Sequence, residues 1–214
     1  MIKMKDLRQR LIEEARIVIG DSDPSHDLSH ALRVLSNAEY IVNFEGGDLG
    51  IIIPAALFHD VVNYQKDDQR AKYAAEESAR VIRGILEKLP DYNGEKIARV
   101  ETAIIEHPYN NGIRPESLDS KIVQDADRLE ATGAIAIMRT FCSTGQMKRK
   151  FYNSEDPFCE QREPNSLFYA VDLFYKRLLK IKDLMNTETA KRLAEKRTRY
   201  LYDFLEQLRE EIVL

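Results

Sequence analysis

A chain of 214 residues with 43% hydrophobic and 32% charged side chains can bury a sizeable core within one domain and has the balance of an ordinary soluble globular protein. Its net charge of −4 gives no general attraction to nucleic acid polymers or anionic membranes. Two cysteines, Cys142 and Cys159, with no CxxC pair, exclude a disulfide framework and suit a reducing cytoplasm.

The first twenty residues are charged and amphipathic and lack the apolar core of a signal peptide, so a cytoplasmic location is expected. Leu7, Leu11, Ile12, Ala15 and Ile19 share one helical face, which predicts a helix over 3–19, ended by Gly20. Asp23 can cap the next helix, with Pro24 in its first turn. That helix runs through "SHALRVLSNAEYIVNF" and stops at Gly46-Gly47. Asp48 can cap a third helix, kinked at Pro54 and ending near Tyr64. Its apolar stretch, residues 49–58, is too short to span a bilayer. Further helices are predicted over 69–89, over 94–107 with Pro108 as the stop, and over 118–140 with a bend near Gly133. Residues 144–165 read as loop, and two long helices follow, 166–184 and 187–212, the second capped by Thr187. Strand alternation and internal repeats are absent, so the fold class is all-α.

The chain has four histidines, His26, His30, His59 and His107, and all lie in its first half. His26 and His30 are four apart and can face one side of a helix. His59-Asp60 closes an apolar run, "AALFHD", and Asp125 and Asp127 close another, "KIVQDAD". Carboxylates at such places cost several kcal/mol to bury unless a positive partner compensates. A divalent cation would do so, since imidazole with carboxylate suits Mn, Fe, Co, Ni or Zn. Each piece also has an ordinary explanation: a His-Asp pair is common by chance, and Asp125 and Asp127 could cap a helix or pair with Arg128. The ordered set of His, His-Asp and Asp on three helices is what favours a metal.

That order resembles the HD-domain superfamily of metal-dependent phosphohydrolases. Four segments, "SHDLSHALRV", "AALFHDVV", "KIVQDADRLEATGAIAIMRTF" and "LLKIKDLMNTETAKRLAEKRTRYLYDFLEQLREE", are similar in order and spacing to a bacterial subfamily of small single-domain HD hydrolases. The resemblance implies one domain over 1–214, with a metal-site core about 20–143 followed by the loop and C-terminal helices. It implies that His30, His59, Asp60 and Asp127 hold one divalent ion, from among Mn, Mg, Co, Ni and Fe. Asp125 would then be structural, His26 would line the pocket, and His107 would contact substrate, donate a proton or bind a second metal. Asp60, His107 and His26 are the expected catalytic set. Many relatives carry an acid three residues after the His-Asp doublet; this chain has Asn63, whose amide cannot act as a general base. Glu76 and Glu77 could replace it, although a solvated helix face explains them more simply.

A bound divalent ion lowers the pKa of water and polarises a phosphoryl oxygen. Basic side chains must then neutralise the charge that builds on phosphate. Arg33, Lys66, Arg128 and Arg177 are the expected substrate contacts, and the run "QMKRKFY" at 146–152 reads as a solvated loop in preference to a phosphate lid. The subfamily resemblance points to a nucleotide: nucleoside triphosphate to monophosphate and pyrophosphate first, nucleoside monophosphatase second, cyclic phosphodiesterase third. Two other classes stand beside these, a metal-bound sensing module without catalysis and a two-iron oxygenase. The expected partner is a small phosphorylated molecule, and the chain is a monomer or a homodimer.

Overall fold

The computed structural model describes residues 4–20, 25–64, 68–109 and 112–212, and the regular elements within them are helical. Lys150 and Tyr169 form one isolated parallel bridge, with no strand among the described residues. The all-α class expected from the periodicity is the class observed. Asp23, Pro24 and Lys66 lie outside the described residues. The chain divides into two compact units, Met1–Asp127 and Arg128–Leu214.

In the first unit, α1 (Met4–Val18) buries Leu7, Leu11, Ile12 and Ala15 along one stripe. Helix α2 (Leu28–Glu45) is capped by Asp27, whose carboxylate accepts from the His30 amide at 2.8 Å. Helix α3 (Leu49–Phe58) is capped by Asp48 and buries every residue from Gly50 to Phe58. A helix apolar on all sides has no face for water, and α3 is enclosed by α1, α2, α4 (Ala74–Leu86) and α5 (Gly94–Glu106). Pro54 has no amide hydrogen to give the Gly50 carbonyl four residues back. The Tyr92 hydroxyl donates to that carbonyl instead, at 2.8 Å. Helix α6 (Leu118–Arg128) completes the unit and crosses into the second at its last residue.

Several boundaries differ from the sequence reading. Helix α3 stops at Phe58, not near Tyr64, because the Val62 amide turns to the Ser78 hydroxyl at 3.0 Å and leaves the helical ladder. The 69–89 helix opens with a 3₁₀ turn, Gln69–Tyr73, before α4 begins. The expected bend near Gly133 is a break: a 3₁₀ turn, Leu129–Ala131, separates α6 from α7 (Gly133–Gln146). Gly133 has φ +65°, and a Cβ there would lie 3.1 Å from Arg197 Cβ, so any other residue would be strained and crowded.

In the second unit, α7, α8 (Ala170–Lys176) and α9 (Glu188–Ile212) surround a core that includes Phe158, Val171, Phe174, Leu201 and Leu205. The expected long helix over 166–184 is a short α8 followed by a 3₁₀ helix, Leu178–Leu184. Arg177 leaves helical geometry at φ −136°, ψ −57°, and buried Leu178 and Ile181 keep the three-residue spacing of a 3₁₀ turn. Thr187 caps α9 as expected, accepting from the Ala190 amide at 3.3 Å. Residues 147–169 are irregular but tied down. Arg149 donates to the Ser166 carbonyl and the Ser143 hydroxyl, both at 2.8 Å. Arg162 grips the buried Asp172 carboxylate at 2.5 and 2.8 Å. No helix among the described residues is long and apolar enough to cross a membrane.

Candidate metal centre

Three helix ends meet in the first unit. The Asp27 cap fixes the first turn of α2 and with it His30. The apolar body of α3 drives its C-cap, His59, into the interior, and Asp60 follows in the turn beyond. Asp127 comes from the last turn of α6. His30 and His59 are both 1% exposed, so only the carboxylate side of the site meets solvent.

The His59 Nδ1 donates to the Ala56 carbonyl at 2.8 Å. A carbonyl only accepts, so the proton sits on Nδ1 and Nε2 presents a lone pair to the centre. His59 Nε2 lies 3.1 Å from His30 Nε2. It lies 3.5 Å from Asp60 Oδ2 and 3.7 Å from Asp127 Oδ1. His30 Nε2 lies 3.9 Å from Asp60 Oδ2 and 3.7 Å from Asp127 Oδ1. One donor atom from each of the four residues falls within 4.8 Å of all the others. Metal bonds to imidazole nitrogen and carboxylate oxygen are about 2.0–2.2 Å long, which sets neighbouring donors of one ion about 3 to 4 Å apart. The set fits a divalent ion of the borderline class.

The electrostatics agree with that fit. Burial pushes His59 down to about 4, against the pull of Asp60, so its imidazole is neutral. Burial pushes the Asp60 carboxyl up, but His59 and His107 outweigh it and hold Asp60 well below the usual carboxylate range. Asp127 is lowered in the same way by His59 and His30, against the effect of burial. Neutral imidazole and ionised carboxylate are the states that bind metal.

His107 stands just past α5. Its Nδ1 donates to the Ile104 carbonyl at 2.6 Å, and its Nε2 is 3.3 Å from Asp60 Oδ1, the oxygen turned away from His59. Burial pushes His107 down, but the hydrogen bond and charge of Asp60 outweigh it and the net shift is upward. His26 Nε2 approaches Asp60 Oδ2 at 3.9 Å from the turn before α2. The other five residues of the expected metal and catalytic sets, His26, His30, His59, His107 and Asp127, are thus gathered around Asp60.

The other expected residues are placed differently. Asp125 is fully buried in α6. Arg33 is half-buried one turn after His30. Arg128 and Arg177 belong to the second unit, and Arg128 Nη1 donates to the Leu184 carbonyl at 2.5 Å. Asn63 is exposed in the turn after Asp60. Glu76 and Glu77 are half-buried rather than a solvated face, and Glu77 accepts the Tyr64 hydroxyl at 2.5 Å. Two buried amides escaped the sequence reading. Asn37 donates to the Ala126 carbonyl at 3.1 Å, and Gln124 donates to the Glu106 carbonyl at 2.7 Å. The available signal was an amide at a core position of a helical stripe, Asn37 among Val34, Ala38 and Ile41, and Gln124 among Ile122, Val123 and Ala126.

The HD domain family model matches residues 27–132, which span all four candidate ligands. The uncharacterized protein YpgQ of Bacillus subtilis (strain 168) is 31% identical over 213 residues, covering 98% of this chain and 96% of YpgQ. A crystal structure of an HD-superfamily hydrolase from Bacillus thuringiensis is 33% identical, with a TM-score of 0.76 over 98% of each chain. The crystal structure of Bacillus subtilis YpgQ in complex with ADP is 27% identical, with a TM-score of 0.75, covering 99% of this chain and 98% of that one. With the His, His-Asp and Asp residues converging on one point, the chain belongs to the HD domain family.

Proposed function

We propose that the protein is a metal-dependent phosphohydrolase that converts a nucleoside triphosphate to the monophosphate and pyrophosphate. The observation that carries the metal-dependent part is the convergence of one donor atom each from His30, His59, Asp60 and Asp127 within 4.8 Å. The nucleotide part draws support from the ADP complex of the similar YpgQ structure. The whole chain acts as one HD-type domain, as a monomer or a homodimer, on a small phosphorylated molecule.

His30, His59, Asp60 and Asp127 would hold a divalent ion, which when bound supplies Lewis acidity toward phosphoryl oxygen and lowers the pKa of water. The neutral His59 keeps its Nδ1 proton on the Ala56 carbonyl and its lone pair toward the centre. His107, with Nε2 beside Asp60 Oδ1, would give a proton to the departing phosphate oxygen. His26, on the other carboxylate oxygen, lines the pocket. Arg33 on α2, one turn after His30, is the basic residue of that unit proposed to contact phosphate, and Lys66, Arg128 and Arg177 are further candidates from the sequence.

The test is a phosphate and pyrophosphate release screen on chelator-stripped protein resupplied with Mg, Mn, Co or Ni. Pyrophosphate from triphosphates, dependent on metal and lost in Asp127→Ala, is the expected result. Orthophosphate from monophosphates alone moves the assignment to a nucleotidase, and turnover of cyclic nucleotides alone moves it to a phosphodiesterase. Asn63, in place of the acid that many relatives carry, favours a second reading, a metal-bound sensing module. Silence across the panel with metal bound moves the assignment to that module or to a non-nucleotide substrate.

A further inference from the structure

We infer that Gln124 is a positioning residue for His107: its buried amide fixes the end of α5 to α6 and so sets the reach of the imidazole to Asp60. The inference rests on the reading of His107 as a working group of the metal centre.

The last carbonyls of an α-helix have no helical donor. At the end of α5 two of them are taken up by groups that define the site. The Ile104 carbonyl accepts the His107 ring at 2.6 Å, which orients the imidazole. The Glu106 carbonyl, on the peptide that leads directly into His107, accepts Gln124 Nε2 at 2.7 Å. The same Nε2 reaches the Ile113 carbonyl at 3.1 Å, beyond Pro108 on the segment that leaves the site. One side-chain amide therefore spans the chain on both sides of His107. Gln124 is itself 0% exposed and lies on α6 three residues before Asp127, within one helical turn. The turn that carries His107 is thereby tied to the helix that carries Asp127.

A free choice of side chain at a fully buried position would be apolar, and an amide there is retained only where its hydrogen bonds are met. Pro108 offers no amide hydrogen to the Ile104 carbonyl four residues back, so the helix does not continue through His107, and Gln124 is the side chain that holds the peptide groups on either side of it. Misplacement of a working group by about 1 Å is enough to cost up to about a hundredfold in rate.

The test compares wild type, Gln124→Met, His107→Ala and the double variant, each loaded with Mn or Mg. Gln124→Met keeps the length of the side chain and removes the donor. Expected is a fall in kcat on nucleoside triphosphate of about ten- to a hundredfold, with KM and metal stoichiometry close to wild type and no further loss when Gln124→Met is added to His107→Ala. Long-range ¹⁵N spectra of histidine-labelled protein, with Mg, give a readout free of turnover: His107 ring shifts move in Gln124→Met while those of His59 stay. Effects that multiply in the double variant, or His107 shifts that match wild type, overturn the inference. If no protein turns over nucleotide, the proposed reaction fails, and the spectra still decide whether Gln124 positions His107. If Gln124→Met does not fold, Gln124→Asn, whose amide falls one methylene short of the Glu106 carbonyl, gives the same comparison.

Discussion

Asp60 uses its two carboxylate oxygens in different directions. Oδ2 faces His59, His30 and His26, and Oδ1 faces His107. Asp60→Ala removes one candidate ligand of four and the partner of His107 together. Metal content after dialysis against limiting Mn should fall to background, with far-UV circular dichroism unchanged. Full stoichiometry in that variant would sink the ligand assignment. At this scale the candidate cluster was legible in the sequence, because buried carboxylates at the ends of apolar helices need a compensating charge. The supporting amides Asn37 and Gln124 were legible only as polar residues at core positions of a helical stripe; which carbonyl each one meets depends on the packing of a neighbouring element.

Helix α3 shows how an element can place a site without contributing a face to it. Its all-round burial was visible as an unbroken apolar run, but its end was not. The switch of the Val62 amide to Ser78 depends on α4, sixteen residues further along the chain. Likewise α8 and the 3₁₀ helix after it share one apolar pattern, which cannot reveal that Arg177 breaks the backbone between them. The element-scale prediction concerns α8. Burial pushes Asp172 up, but bonds from Arg162 and the Asn165 amide outweigh it and hold the carboxyl below its ordinary value of 3.8. A carboxyl lowered by folding stabilises the native state above its unfolded pKa and loses that contribution as pH falls through the folded value. Asp172→Asn should therefore cost about 3 kcal/mol in urea unfolding at pH 7, and the gap to wild type should close on acidification below about pH 4. Equal stability at pH 7 would mean that the pair with Arg162 contributes nothing.

For the molecule as a whole, the division between Asp127 and Arg128 falls inside α6. No run of Pro, Gly or Ser marks it, which is why the sequence reads as one continuous domain. The candidate metal ligands all belong to the first unit, so binding of an ion by them would be linked to folding there. At a free metal concentration a hundredfold above Kd, linkage adds about 2.7 kcal/mol to the folded state. For a chain of this length that is a rise in Tm of about 5–10 °C. Differential scanning calorimetry with Mn and then with excess chelator measures it, and an unchanged Tm would show that the folded state does not gain from metal.

Pro54 and Tyr92 are coupled through one carbonyl, that of Gly50. The proline leaves the Gly50 carbonyl without a donor, and the tyrosine hydroxyl supplies one. Tyr92→Phe alone strands a buried acceptor at a cost of about 1–3 kcal/mol. On a Pro54→Ala background the new amide can serve Gly50 itself, and the same tyrosine substitution should become nearly silent. The two sites therefore admit change in one order only: an alanine at 54 opens the way to losing the hydroxyl at 92, while the reverse path crosses a stability valley. Drift at one position is licensed by the other.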